Sequence, residues 1–289
     1  MACFPVLLVL LRGLQIMENA RFSPRICHPG RMGKKRRILL AVLLVAVGGI
    51  ILWRVSRPHD PVYRGERLSQ WLKGYDPRVT IENKDEVDDA IRHIGTNAIP
   101  TLLGMLRSKD SAMTAAALMW AQSAGIWIDR AEVKNVEAAR GFEVLGASAK
   151  DAVPALIEIY KLKISPESQW MTAYAIGGIG PAAKDAIPQL LQGATNAEKA
   201  LRYCAVRSLG QIHSEPEVAV PALIRALNDS DHQVRREAAK ALGTFGASAT
   251  GAVPALVAAF KSHDTHIIKT VADALKAIDA EAAAHAGVK

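Results

Sequence analysis

Cysteine is scarce in these 289 residues: Cys3, Cys27 and Cys204 are all there are. Two of them sit in the N-terminal stretch, so the rest of the chain has one and no internal disulfide framework can hold it. Cys204 is expected to act as a small packing residue. Aromatic residues make up only 5% of the chain, while alanine and leucine crowd its second half. That balance favours helices over sheets. There is no metal-ligand spacing, no phosphate-cradling glycine loop and no nucleophile elbow. Gly177-Gly178-Ile179-Gly180 lacks the preceding strand that a dinucleotide fingerprint needs. His263, Asp264 and His266 offer too few convergent ligands for a metal. No catalytic, cofactor-binding or metal-binding residue is therefore assigned, and the chain reads as a non-enzyme.

The formal charge of +8 invites a nucleic-acid reading, but its distribution removes that reading. Residues 1–60 hold ten basic side chains against Glu18 and Asp60, so residues 61–289 balance at 26 of each sign. A protein that grips phosphates presents a basic face. A neutral body argues against nucleic acid as partner, although a neutral total can still hide a patch.

The one long apolar run is residues 38–53, from Ile38 to Trp53. As a helix it reaches about 24 Å, and Val55 with a snorkelling Arg54 extends it toward the ~30 Å hydrocarbon core. Lys34-Lys35-Arg36-Arg37 precedes it and favours a cytoplasmic N-terminal flank. The expectation is a transmembrane signal-anchor at 38–55 behind a basic flank at 32–37, with the rest of the chain on the extracytoplasmic side. A cleaved signal peptide is the alternative. Residues 1–31 show no periodicity, and Met32 is the expected translation start.

From about residue 84 the chain repeats itself. Pro154, Pro188, Pro221 and Pro254 recur at intervals of 34, 33 and 33, with Pro100 one longer interval earlier. Each is expected to head a helix, where proline loses no intrahelical donor. Around each proline apolar residues fall at i, i+3, i+4 and i+7, as in Val220, Leu223, Ile224 and Leu227; this is one face of an amphipathic helix. Asn97, Asp151 and Asp185, three residues before their prolines, are expected caps. A second amphipathic stripe precedes each unit, as in Val234, Ala238, Ala241, Leu242 and Phe245. Gly177, Gly210 and Gly243 are expected at close approaches, and Gly146, Gly180 and Gly246 at turns. One such pair cannot bury its stripe alone, so pairs must stack.

The strings Asp231-His232-Gln233-Val234-Arg235-Arg236-Glu237-Ala238-Ala239-Lys240-Ala241-Leu242-Gly243 and Ala252-Val253-Pro254-Ala255-Leu256 resemble HEAT repeats of the phycobilisome-lyase-like type. Tyr63 to Leu72, with Ile94 to Pro100, is similar to membrane-anchored bacterial HEAT proteins. The resemblance implies an all-α, right-handed α-solenoid at the bacterial cytoplasmic membrane. Its expected parts are a linker and capping helix (Leu68–Leu72) over 56–83, about five repeats and a terminal half-repeat over 84–280, and a tail at 281–289. An extra helix is expected near Ser111–Ala124. The resemblance also permits two alternatives, a bilin-lyase-like enzyme and a nucleic-acid-binding protein.

A stack offers a long row of independently variable positions, so a protein-interaction scaffold is the expected function, with another protein as partner and no cofactor. Trp170, Tyr174, Tyr203, Arg207 and Arg236 are the candidate contact residues, being amphipathic aromatics and arginines on the first helices. Arg202 and Arg235, one repeat apart, are expected instead to pair with acidic groups of neighbouring units. The acidic run Asp85 to Asp89 is expected to be a solvated helix start.

Overall fold

A computed structural model describes residues 60–75, 84–111, 120, 130–262 and 264–288. The chain divides at Arg57/Pro58 into two units, and every described residue belongs to the second. The anchor expected at 38–55 therefore lies outside the described residues, as do its flank and most of the Ser111–Ala124 helix.

A short antiparallel hairpin, β1 (Val62–Tyr63) and β2 (Glu66–Arg67), leads into α1 (Leu68–Trp71) and a 3-10 turn ending at Tyr75. Leu68 and Leu72 are fully buried, so this piece packs onto the core. Trp71 Nε1 donates to the Tyr63 carbonyl at 3.1 Å and holds the hairpin down. The helices that follow come in pairs: α2 (Lys84–Ile94) with α3 (Ile99–Leu106), α4 (Ala131–Leu145) with α5 (Val153–Leu162), and α6 (Pro166–Ile179) with α7 (Ile187–Gly193). Then come α8 (Lys199–Ile212) with α9 (Pro216–Ala226), α10 (His232–Phe245) with α11 (Val253–Lys261), and finally α12 (Ile268–Ile278) with the short α13 (Ala280–His285). The described part is thus an all-α solenoid.

The helices form two layers. Helices α4, α6, α8, α10 and α12 pack side by side, with α2 against α4. In the second layer each helix packs most on the first helix of the following pair: α3 on α4, α5 on α6, α7 on α8, α9 on α10, α11 on α12. Every pair therefore borrows its cover from the next one, which is why one pair is not stable alone. Leu102, Leu156, Leu190, Leu223 and Leu256, the equivalent residues of five second helices, are all fully buried in one continuous cluster. Each buries about 1.5–3 kcal/mol of side-chain transfer energy.

Two sequence expectations need correction. Pro100, Pro154, Pro188 and Pro254 do stand in the first turn of α3, α5, α7 and α11. Pro221 instead lies inside α9, which starts at Pro216 after two left-handed residues, His213 and Glu215. There the 3-10 link of the other repeats has become helix. The expected caps also fail: Asn97, Asp151 and Asp185 lie within 3-10 segments, and the N-cap positions of the helices that follow are held by Ala98, Ala152 and Ala186 with no side-chain cap. A 3-10 turn running straight into a helix already occupies the donors a cap would bind. Side-chain caps occur on the first layer, from Ser165, Glu198 and Asp231. Part of the alanine-rich tail is helical: Asp279 caps α13, and Ala283 is buried.

Residues 232–261 are long enough to suit a membrane crossing, and an 18-residue stretch within them reaches a mean hydropathy of 1.4. They are α10, a 3-10 link and α11, broken at Gly246, where φ is +51°. Their apolar residues Val234, Leu242 and Leu256 are fully buried in the repeat core. Packing among repeats accounts for this apolar stretch.

Candidate interaction face

The first-layer helices stack closely because glycine and alanine meet where they cross. A Cβ on Gly210 would sit 2.6 Å from Ala241 Cβ, and one on Gly178 would sit 2.7 Å from Glu143 Cα. Both are closer than carbon atoms can approach. Outward-facing residues at one repeat interval therefore become lateral neighbours. Two such rows cross the layer: Trp170, Tyr203, Arg236, Lys269 and, one helical turn on, Tyr174, Arg207, Lys240, Asp273.

Tyr174 centres a network that ties three helices together. Arg140 of α4 donates to Tyr174 Oη at 2.6 Å and to Glu143 Oε2 at 2.8 Å, and the Tyr174 hydroxyl donates to Glu143 Oε2 at 2.9 Å. Arg207 of α8 reaches Glu143 Oε1 at 2.7 Å and Gln211 Oε1 at 2.8 Å. The Arg207 guanidinium lies 4.0 Å from the Tyr174 ring centroid, and that of Arg140 lies 5.2 Å away. Burial works to raise the Glu143 carboxyl, but hydrogen bonds from Arg207, Arg140 and Tyr174 outweigh it and hold Glu143 below its ordinary range. Burial pushes Tyr174 up to about 12, so its hydroxyl stays protonated and donates.

Tyr174 and Arg207, two of the expected contact residues, are thus engaged within the protein. Trp170 and Tyr203 are half-buried against the core edge, and Arg236 is exposed. The Trp170 indole N–H is buried without an acceptor among the described residues, and nothing in the structure accounts for it. Arg236 and Lys269 carry no ion pair among the described residues. Sequence reasoning missed Arg140 and Glu143, whose roles depend on which helices cross. It also missed Lys269, although its interval of 33 from Arg236 was a legible signal.

The arginine ladder is present as expected. Arg202 binds Asp229 through two bonds of 2.7 and 2.9 Å, and Arg235 binds Asp264 at 2.6 Å. Each arginine also donates to two backbone carbonyls of the preceding link. Asp264 is therefore committed to Arg235, and His266 stacks on His232 with centroids 4.6 Å apart. His263 lies outside the described residues. Cys204 is buried, and burial pushes its thiol up to about 12, which leaves no thiolate for chemistry. The acidic run is less solvated than expected: Asp88 accepts from the Tyr75 hydroxyl and pairs with Arg92 at 3.6 Å.

The neutral total conceals a polarity. Helices α8, α10 and α12 carry eight Lys/Arg against Glu237 and Asp273, whereas α2, α4 and α6 carry four against eight Asp/Glu. The layer runs from acidic near α2 to basic near α12.

A family profile described as HEAT repeats matches residues 153–242 and 220–286. Two crystal structures of engineered proteins from the Northeast Structural Genomics Consortium are similar to this chain. One is 22% identical with a TM-score of 0.41, covering 74% of this chain and 96% of its own. The other is 23% identical with a TM-score of 0.40, covering 76% and 71%. No curated protein matches.

Proposed function

We propose that this chain, whose residues 153–286 match a HEAT-repeat profile, is a non-catalytic scaffold that binds another protein through its first helical layer. The observation that carries this reading is the row Trp170, Tyr203, Arg236. Amphipathic aromatics and an exposed arginine with no ion pair among the described residues stand together on neighbouring helices, the residue types that dominate protein interfaces. Tyr174 and Arg207 serve the same face by fixing its geometry. The scaffold is tethered to the bacterial membrane by the apolar segment 38–55, with the repeats on the extracytoplasmic side; the basic cluster before that segment supports this orientation. The lyase-like alternative draws on resemblance alone, and Cys204 gives it no nucleophile.

The test uses the full chain, tagged at its C-terminus, in its source cells. In-cell crosslinking followed by affinity capture is expected to recover a stoichiometric protein partner. Trp170→Ala combined with Arg236→Glu is expected to reduce that recovery at least fivefold at equal chain abundance. Recovery of no protein beyond a tag-only control refutes the scaffold. A C-terminal topology reporter and membrane fractionation test the tether: a soluble or cytoplasmically reporting chain refutes that part.

A further inference from the structure

The charge and spacing of the outer row identify the kind of segment it accepts. Trp170, Tyr203, Arg236 and Lys269 stand 33 residues apart, on α6, α8, α10 and α12, each packed on the next. The row therefore changes character once along its length, from two half-buried aromatic side chains to two exposed cations. Lys240 adds a third cation one turn from Arg236, held only loosely by Glu237 at 3.7 Å. Asp273 beside Lys269 is the single exposed acid of α8, α10 and α12. Carboxylates on a partner would meet a surplus of positive charge at this end, and apolar groups would meet aromatic surface at the other.

Spacing selects the conformation. Packed helices lie about 8–10 Å apart, toward the close end where glycine and alanine meet. A polyproline II strand turns once every three residues and rises about 9 Å in doing so. Every third side chain of such a strand points the same way, in step with the helices beneath it. A β-strand fails this match because side chains three apart point to opposite faces.

Resting on the scaffold reading, we infer that this row docks an extended acidic segment of another protein. That segment presents two apolar residues over Trp170 and Tyr203 and two carboxylates over Arg236 and Lys269, each three residues from the last. A nucleic-acid strand fits less well. Base-stacking surfaces need open aromatic faces, and Trp170 and Tyr203 are both half-buried against the core edge.

The experiment measures fluorescence anisotropy of labelled synthetic peptides with the full chain in detergent micelles. The probe peptide carries two aromatic residues and two glutamates in that order, each three positions apart. Controls replace the glutamates by lysines, or place the four residues seven apart as in a helix, or use single-stranded DNA of similar length. The spaced acidic peptide is expected to bind at least about tenfold tighter than every control. Arg236→Glu with Lys269→Glu is expected to weaken it about tenfold, and Trp170→Ala to weaken it separately. Added salt should weaken the wild-type complex and have little effect on the double variant. Equal binding of the lysine peptide, preference for the helical spacing or for DNA, or no binding overturns the inference. Since the cellular partner is captured independently of these peptides, its capture alongside such a result leaves the scaffold reading standing, and its absence removes both.

Discussion

Arg202 and Arg235 hold the same position in successive helices and make the same bonds, to an aspartate of the next link and to two carbonyls of their own. Their guanidinium forks are spent on structure, whereas Arg236, one residue on, is exposed and makes no ion pair among the described residues. Position on the helix, more than residue type, decides which arginine is available to a ligand. Glu143 shows the same principle with a carboxylate. Its pKa in the folded chain lies below the ordinary 4.5 because bonds from Arg207, Arg140 and Tyr174 outweigh burial. A depressed carboxyl contributes stability that is fully present above its unfolded pKa and lost as pH falls through the folded one. Urea midpoints are therefore expected to fall as pH drops below about 4.5, with a shallower fall in Glu143→Gln. An identical acid dependence in that variant would show that the network is not the titrating element.

Helix contacts are set by the small residues between α8 and α10. Alanine at Gly210 would gain about 1 kcal/mol of helix propensity. Its Cβ would also lie 2.6 Å from Ala241 Cβ and 3.0 Å from Ala241 Cα, and overpacking of this kind costs about 1–3 kcal/mol. Gly210→Ala is expected to be net destabilising. Gly104, inside α3, has nothing within 4 Å of an added Cβ among the described residues, so Gly104→Ala is expected to stabilise by about 0.5–1 kcal/mol. Opposite signs in thermal or urea unfolding check the pair. Two same-signed shifts would mean that helix spacing is not set by glycine contact.

At the scale of the molecule, each second-layer helix depends on the next pair for cover. Deleting residues 264–289 from the full chain removes α12 and α13, and with them the buried Ile267, Val271 and Leu275. Loss of each such side chain from the core forfeits about 1.5–3 kcal/mol, and nearest-neighbour coupling confines the damage. Amide protection in α10 and α11 is expected to collapse in hydrogen exchange, while α4 and α6 keep theirs. Uniform loss, or none, would contradict a stack of locally coupled units. The same scale holds the charge polarity, invisible in a sum of 26 against 26 because opposite ends cancel.

The sequence by itself determined the solenoid, since a fixed interval of proline, apolar stripe and glycine has one economical three-dimensional reading. It also determined the arginine ladder, because Arg202 and Arg235 share a register with acidic links. Tertiary structure alone decided that Asn97, Asp151 and Asp185 do not cap, since 3-10 turns take up those donors. It alone decided that Pro221 sits inside α9 and that Tyr174 and Arg207 are bound within the protein by Arg140 and Glu143. Periodicity reports what one helix buries, and which side chains meet across two helices depends on their crossing, which a one-dimensional pattern does not encode.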